Sequence, residues 1–380
     1  MTATTRWAAV ILMLLIVAAS AETLAWAIGW ITPERFRQSA EQIRRDGTQA
    51  QYDEWLRTRY DAELGWLNPR ATTFRGPNCA GEVVTSTFDR NGARISEPLS
   101  RVDVIAVGDS FTRGDDVSDA QTYPNWIGRL TGLRVANYGV GASGPLQQVM
   151  YFERLVKAHP EFKAAVLGIM YEDLLRLPAR LRYVFAPHEI PFYFKPWLDV
   201  TKVPPEPRPN PNVPPAKTVE ELRPRIEAAL RDDYLARPEL SFPYTVAVVK
   251  MLLGRRSRYG LRNRRSSDVL GWFEDDALIR GLDYVVGRFI KTAREHGALP
   301  VVAFIPGTGV YLRSPDEFIA KLHGDAVLLN VGAAPIDWQR YNVRRPDGSR
   351  CHPSAYGYEM IAQAIVDAMR RHLPPLATAS

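Results

Sequence analysis

The chain has 380 residues, 48 lysines and arginines against 42 aspartates and glutamates, a formal net charge of +6, and 46% hydrophobic against 24% charged residues. Those proportions belong to a folded globular body and exclude a mostly disordered chain, a collagen and a multi-span membrane protein. Two cysteines cannot build a disulfide scaffold or a cysteine-based zinc site, and a surplus of six charges over this length is no nucleic-acid footprint, so no nucleic-acid partner is expected.

From Ala8 to Ile31 the sequence AAVILMLLIVAASAETLAWAIGWI holds one charge, Glu22. About 20 apolar residues are what a bilayer core demands of a spanning helix, so residues 1–33 are predicted as an N-terminal membrane anchor, with Trp26 and Trp30 suited to the interface. A cleaved signal peptide is the competing reading, because Ala19-Ser20-Ala21 is an A-x-A-like site; both readings imply export and an extracytoplasmic, periplasmic body. Arg35, Arg37, Arg44 and Arg45 follow the segment while only Arg6 precedes it, which pulls the body toward the cytoplasm instead.

Residues 34–100 are predicted as a stalk helix, with helical spacing at Trp55, Leu56, Tyr60 and Leu64, followed by a turn-rich segment. There GW, NP, GPN and RNG punctuate β-prone pieces such as EVVTSTF that pack on the body. Residues 101–376 then alternate strand and helix. Val102 to Val107 reads as a strand buried on both faces, Thr122 as the cap of a helix that stops at Gly132, and Arg134 to Asn137 as a strand. A helix near Gln147 to His159, a strand at Ala164 to Ile169, a helix from Ile279 to His296, the strands PVVAFIPG and AVLLNV, and a last helix from Ser354 to about His372 complete the series. This order predicts a parallel sheet covered by helices on both sides. An insertion at about 185–275 interrupts it. VPPEPRPNPNVPP (203–215) holds seven prolines, which forbid helix and central strand, and 219–253 returns to helical periodicity. The run Arg255 to Arg265 holds six arginines and reads as a solvated basic loop, with anionic lipid headgroups or an acidic polymer as the alternative partner.

The chemistry-bearing stretch is Gly108-Asp109-Ser110-Phe111-Thr112-Arg113-Gly114, directly after the first buried strand. In a parallel α/β sheet, ligands bind beyond the carboxyl ends of the strands, and a serine there presents its hydroxyl to that crevice. A serine hydroxyl needs a base. His159, His296 and His372 fall near helix ends, His188 sits in the insertion and His323 in a loop. His352 differs: in Asp347-Gly-Ser-Arg-Cys-His352-Pro-Ser-Ala-Tyr-Gly357 it leads into the last helix with an acid five residues before it. An imidazole that takes the serine proton needs an acceptor on its other nitrogen. Asp109 reads as an acceptor of backbone hydrogen bonds in the turn. Cys351, beside the histidine, is either a small buried residue or the disulfide partner of Cys79.

GDSFTRG (108–114), NYGVGASGPLQQ (137–148) and DGSRCHPSAYGYEMIA (347–362), with the upstream pieces DAELGW and FDRNGAR, resemble the SGNH (GDSL) hydrolase superfamily over roughly residues 61–372. The resemblance implies a three-layer α/β/α sandwich with a central parallel sheet. It also implies a serine nucleophile, a histidine base and an aspartate orienter, acting on esters and often on acetyl groups of carbohydrate. Carried onto this chain, Ser110 is the nucleophile and one oxyanion donor, His352 the base and Asp347 the orienter. Asp347 lies two positions further back than the pattern has it, where Ser349 stands, and Asp337 is the substitute. Ala142 takes the place of the second-block glycine, with Gly141 or Gly144 able to shift into the role. Glu172 takes the place of the oxyanion asparagine before Asp173. An ionised glutamate cannot donate a hydrogen bond, and losing one such donor costs roughly 3–4 kcal/mol of transition-state stabilisation. The function expected is a membrane-tethered serine esterase working through an acyl-Ser110 intermediate, without metal or cofactor, on an ester substrate such as an acylated carbohydrate. The alternatives are an O-acetyltransferase of cell-surface polysaccharide and a catalytically degenerate glycan-binding or scaffold protein.

Overall fold

The computed structural model describes residues 3–32, 36, 47–182, 192–236, 238–253, 275–307, 316–322 and 326–372. The basic run Arg255 to Arg265, His188 and His323 lie outside the described residues, as does much of the predicted stalk, whose described part holds the helix α2 (Gln49–Thr58). The chain forms two compact units, one drawn from Met1–Tyr52, Leu181–Tyr193 and Ala216–Arg265, the other from Asp53–Arg180, Phe194–Pro215 and Ser266–Ser380.

The larger unit is an α/β/α sandwich. Five parallel strands carry it: β3 (Val104–Gly108), β4 (Val135–Asn137), β5 (Ala164–Met170), β6 (Leu299–Ile305) and β7 (Val327–Asn330), in the order β7-β6-β5-β3-β4. Every residue of β3, β5 and β6 is buried, as their unbroken apolar runs demand of strands covered on both faces. One cover is α4 (Tyr123–Thr131) packed with α9 (Ala355–Arg370) in the same apolar cluster as Val104, Val166 and Val301; α5 (Pro145–Ala158) and α8 (Asp276–Glu295) lie on the opposite side. α5 and α8 pack together over the other face, Phe152 against Phe289 at 4.8 Å. The local signals work as physics requires. Thr122 caps α4 through Asn125 N–H, Pro124 occupies its first turn, and Gly132 ends it at φ 70°.

The strand order places the site. β3 is the first strand of the series, with its sequence successor β4 on one side and β5 on the other, so the connections leave β3 and β5 in opposite directions and open a crevice at their carboxyl ends. Ser110 opens the short helix α3 (Ser110–Arg113) directly after β3, and Tyr171–Arg176 forms a 3₁₀ turn directly after β5.

The turn-rich segment forms the hairpin of β1 (Thr72–Pro77) and β2 (Val83–Phe88). The segment before it buttresses the second-block loop: Trp66 Nε1 donates to Gly141 O at 3.0 Å, and Asn68 Nδ2 to Gly139 O at 2.7 Å. Near the C-terminus the predicted loop around His352 is a second hairpin, β8 (Asn342–Arg344) with β9 (Arg350–Pro353). In the proline-rich segment Glu206–Arg208 pairs antiparallel with Trp197–Asp199.

The smaller unit contains α1 (Ala3–Ile31), α6 (Val219–Asp232) and α7 (Tyr244–Leu253). α1 is long and apolar enough to cross a membrane or to serve as a signal sequence.

Candidate active site

Ser110 follows a turn built to hold it. Asp109 caps α3, its Oδ1 accepting Phe111 N–H at 2.8 Å, while its Oδ2 accepts from the buried Arg176 guanidinium at 3.0 Å. Arg176 also meets Asp173 at 2.7 Å and Ser143 O at 3.0 Å, so one cation ties together the turns after β3, after β4 and after β5. Burial drives the Asp173 carboxyl well above its ordinary pKa, the Arg176 charge opposing that shift.

His352 lies on β9 and turns its imidazole into the crevice. Its Nε2 is 3.0 Å from Ser110 Oγ, and its Nδ1 is 2.8 Å from Asp116 Oδ2. Phe111 meets the ring edge-on at 5.3 Å. Ser110 is 8% exposed, which leaves its hydroxyl nearly dry but within reach of a ligand. Burial disfavours the imidazolium, yet the bond to Asp116 and the charges of Asp115, Asp116 and Asp109 outweigh it, and the His352 pKa is raised. Burial also works against ionised Asp116, but bonds from His352 and from Cys79 N–H, at 2.9 Å, hold its pKa below the ordinary carboxylate value.

The expectation for Asp347 is corrected by this geometry. Asp347 sits at the exposed tip of the β8–β9 hairpin, where its Oδ1 accepts Ser349 N–H at 2.8 Å and Gly348 takes φ 82°. A carboxylate spent on closing its own turn is not the one behind the imidazole. The substitute Asp337 caps a turn as well, accepting Gln339 N–H at 3.0 Å. Asp116, on the loop after α3, stands behind the ring instead.

The Asp116 loop is itself held. Asp116 adopts φ 67°, a conformation costly for a residue with a side chain and sustained only where surroundings dictate it. Arg94, 1% exposed, dictates it: its guanidinium donates to Arg113 O, Gly114 O, Thr85 O and Val117 O and pairs with Asp119 Oδ1 at 2.8 Å. Asp115 turns to Arg113. Burial opposes its ionised form, but that cation brings its pKa down to about 2. The Cys79–Cys351 disulfide joins the β1–β2 hairpin to the strand that carries His352. Its two half-cystines, with Asp115, Asp116, Arg345, Arg350 and His352, line a cavity of about 380 Å³ on the carboxylate side of the imidazole; Ser110 does not line it.

Ala142 adopts φ 69°, the left-handed region that a glycine takes without strain. Gly139 in the same loop passes so close to α3 that a Cβ would lie 2.1 Å from Arg113 N. Gly141 closes against the Arg113 guanidinium, and Gly144 caps α5. Among the described residues, the backbone N–H groups of Ser110 and Ala142 have no partner within the fold. Glu172 lies half-buried in the 3₁₀ turn after β5, its charge raising the pKa of neighbouring Asp173.

Asp116, Arg94 and Arg176 went unread in the sequence. The available signal for the first was an acidic pair, Asp115-Asp116, close after the Ser110 motif, with Cys79 and Cys351 as the second clue to what it faces.

No protein-family model matches the chain, and no curated protein matches it. Among solved structures, the chain is similar to that of a protein assigned to the lipolytic G-D-S-L family from Desulfitobacterium hafniense DCB-2, with a TM-score of 0.31, 12% identity, and coverage of 70% of this chain and 98% of that one.

Proposed function

We propose that the chain is a serine esterase, tethered to a membrane through α1 and acting outside the cytoplasm on acyl esters such as acetylated carbohydrate. The observation that carries the reading is the relay Ser110 Oγ, His352 Nε2, His352 Nδ1, Asp116 Oδ2, with steps of 3.0 and 2.8 Å. In it, the Ser110 oxygen attacks the acyl carbonyl as its proton passes to His352 Nε2. Asp116 keeps the other ring proton on Nδ1 and stabilises the imidazolium that forms. The developing oxyanion takes the N–H groups of Ser110 and Ala142. His352 then returns the proton to the leaving alkoxide, leaving acyl-Ser110. Water or a sugar hydroxyl, deprotonated by the same nitrogen, takes the acyl group.

Ser110→Ala should abolish hydrolysis of p-nitrophenyl acetate by the full chain in detergent; unchanged turnover would refute the assignment. A second reading, a protein that binds acylated glycan without turning it over, is favoured by Glu172, which when ionised offers an oxyanion no donor. Glycan binding with no reaction at Ser110 toward a fluorophosphonate would establish it.

A further inference from the structure

We propose that α7 enters the lipid bilayer beside α1, as a short membrane-embedded helix that does not cross it. The proposal rests on the reading of α1 as membrane-inserted and extends that contact to a second element.

Three observations carry it. α7 (YTVAVVKMLL) is apolar on both sides. Ala247, Val248 and Met251 pack with Ala25 of α1, while Val246, Val249 and Leu252 face outward, 46%, 49% and 49% exposed, and Phe242 just before the helix is 74% exposed. Lys250 is the one charge of the helix and lies among the exposed residues. A helix at an aqueous surface turns polar residues outward, and one that is apolar all round belongs in a protein core or in lipid. No core covers the outer face of α7 among the described residues.

The outer face of α7 also continues an apolar surface. On α1, which α7 packs against, Leu24, Trp26 and Trp30 stand 63%, 48% and 72% exposed. Where the chain approaches α7, Leu240 presses on Gly29 so closely that a Cβ there would lie 2.4 Å from its side chain. A glycine at 29 therefore leaves the room on α1 that the segment leading into α7 occupies.

The third observation is Glu22, the one charge of the apolar stretch. Its carboxylate accepts Tyr244 N–H at 2.6 Å, Thr245 N–H at 3.3 Å and the Thr245 hydroxyl, so it caps the α7 N-terminus from the neighbouring helix. In lipid no water can satisfy the first N–H groups of a helix, and a carboxylate needs such donors to be there at all. Glu22 and the α7 N-terminus answer both needs at once. Ten residues at about 1.5 Å each give roughly 15 Å, half a hydrocarbon core of about 30 Å, which is why α7 enters without crossing.

The test uses the full chain with its disulfide intact, reconstituted in phosphatidylcholine–phosphatidylglycerol vesicles. A nitrobenzoxadiazole label is placed singly on Val246→Cys, Val249→Cys, Leu14→Cys in α1, and Glu295→Cys as the aqueous reference. The proposal predicts blue-shifted emission and loss of fluorescence to doxyl-labelled lipid at 246, 249 and 14, with only 295 quenched by iodide. Lipid quenching at 14 with iodide quenching at 246 and 249 would overturn the proposal and leave the anchor reading standing. Shielding of 246 and 249 from both quenchers would overturn it in favour of a protein cover, such as a second copy. Iodide quenching at 14 as well would remove the anchor reading and this proposal together.

Discussion

Asp116 Oδ2 lies 2.8 Å from His352 Nδ1, across 236 positions of chain, and the same oxygen is within 3.4 Å of the His352 backbone N–H. The second Asp116 oxygen takes Cys79 N–H, so both oxygens are committed and the carboxylate has one orientation. Asp116→Asn keeps the shape but removes the charge and the forced tautomer, and kcat should fall by about a thousandfold or more. Asp347→Asn, at the exposed hairpin tip, should leave kcat unchanged. Esterase kinetics of the two variants side by side check the assignment; a large loss in the Asp347 variant alone would reverse it.

The pH profile follows from the same pair. Catalysis needs neutral His352, and its pKa is raised by Asp116 and the neighbouring carboxylates against the opposing effect of burial. The acid limb of kcat/KM should therefore lie above the ordinary histidine value of about 6.5 and move down in Asp116→Asn. For stability the sign is opposite to that of the acid limb for the imidazole and the same for the acids. A raised His352 pKa contributes stability that is present at low pH and lost as pH rises through the folded value. The depressed Asp115 and Asp116 pKa values contribute stability present above the unfolded carboxylate value and lost as pH falls toward the folded ones. Chemical denaturation across pH, on wild type and Asp116→Asn, separates the two.

The proposed reading puts Glu172 in the place of an oxyanion donor. Glu172→Asn supplies an amide N–H without changing the backbone, and hydrolysis of p-nitrophenyl acetate should rise by about tenfold or more, within the range that one oxyanion donor is worth. A fall in kcat would show that the glutamate has a positive role of its own.

Much of the frame was readable because it depends on local signals. Runs such as VDVIAV and PVVAFI are too uniformly apolar for a one-sided strand, and Thr122, Pro124 and Gly132 mark a helix by their backbone preferences. Ser110 and His352 stood out by motif. The orienting carboxylate did not, since the acidic pair at 115–116 and Asp347 are both acids in turns and spacing alone does not choose between them; the difference is made by a β8–β9 hairpin that carries Asp347 to its tip and by Arg94 gathering the carbonyls around Asp116. Contacts between segments this far apart leave no periodicity to read.

Arg94 therefore invites its own test. Arg94→Met keeps the volume but strands buried carbonyls and leaves Asp119 without its cation, a loss of about 3–5 kcal/mol. Thermal unfolding of the variant should show a drop of that order, accompanied by a fall in kcat from a displaced Asp116. A stable variant with full activity would mean that the loop holds itself.

The disulfide should act on stability. Reduction, or Cys79→Ser with Cys351→Ser, releases the β1–β2 hairpin from the His352 strand, and stability should fall by about 2–5 kcal/mol. Denaturation midpoints with and without reductant give the answer.

The central claim is that Ser110 is a nucleophile made reactive by His352. Intact-mass analysis after exposure to a fluorophosphonate tests it most directly. One adduct per chain, mapped to the peptide containing Ser110 and lost in His352→Ala, is the predicted result; an unmodified chain, or an adduct at another residue, would contradict it.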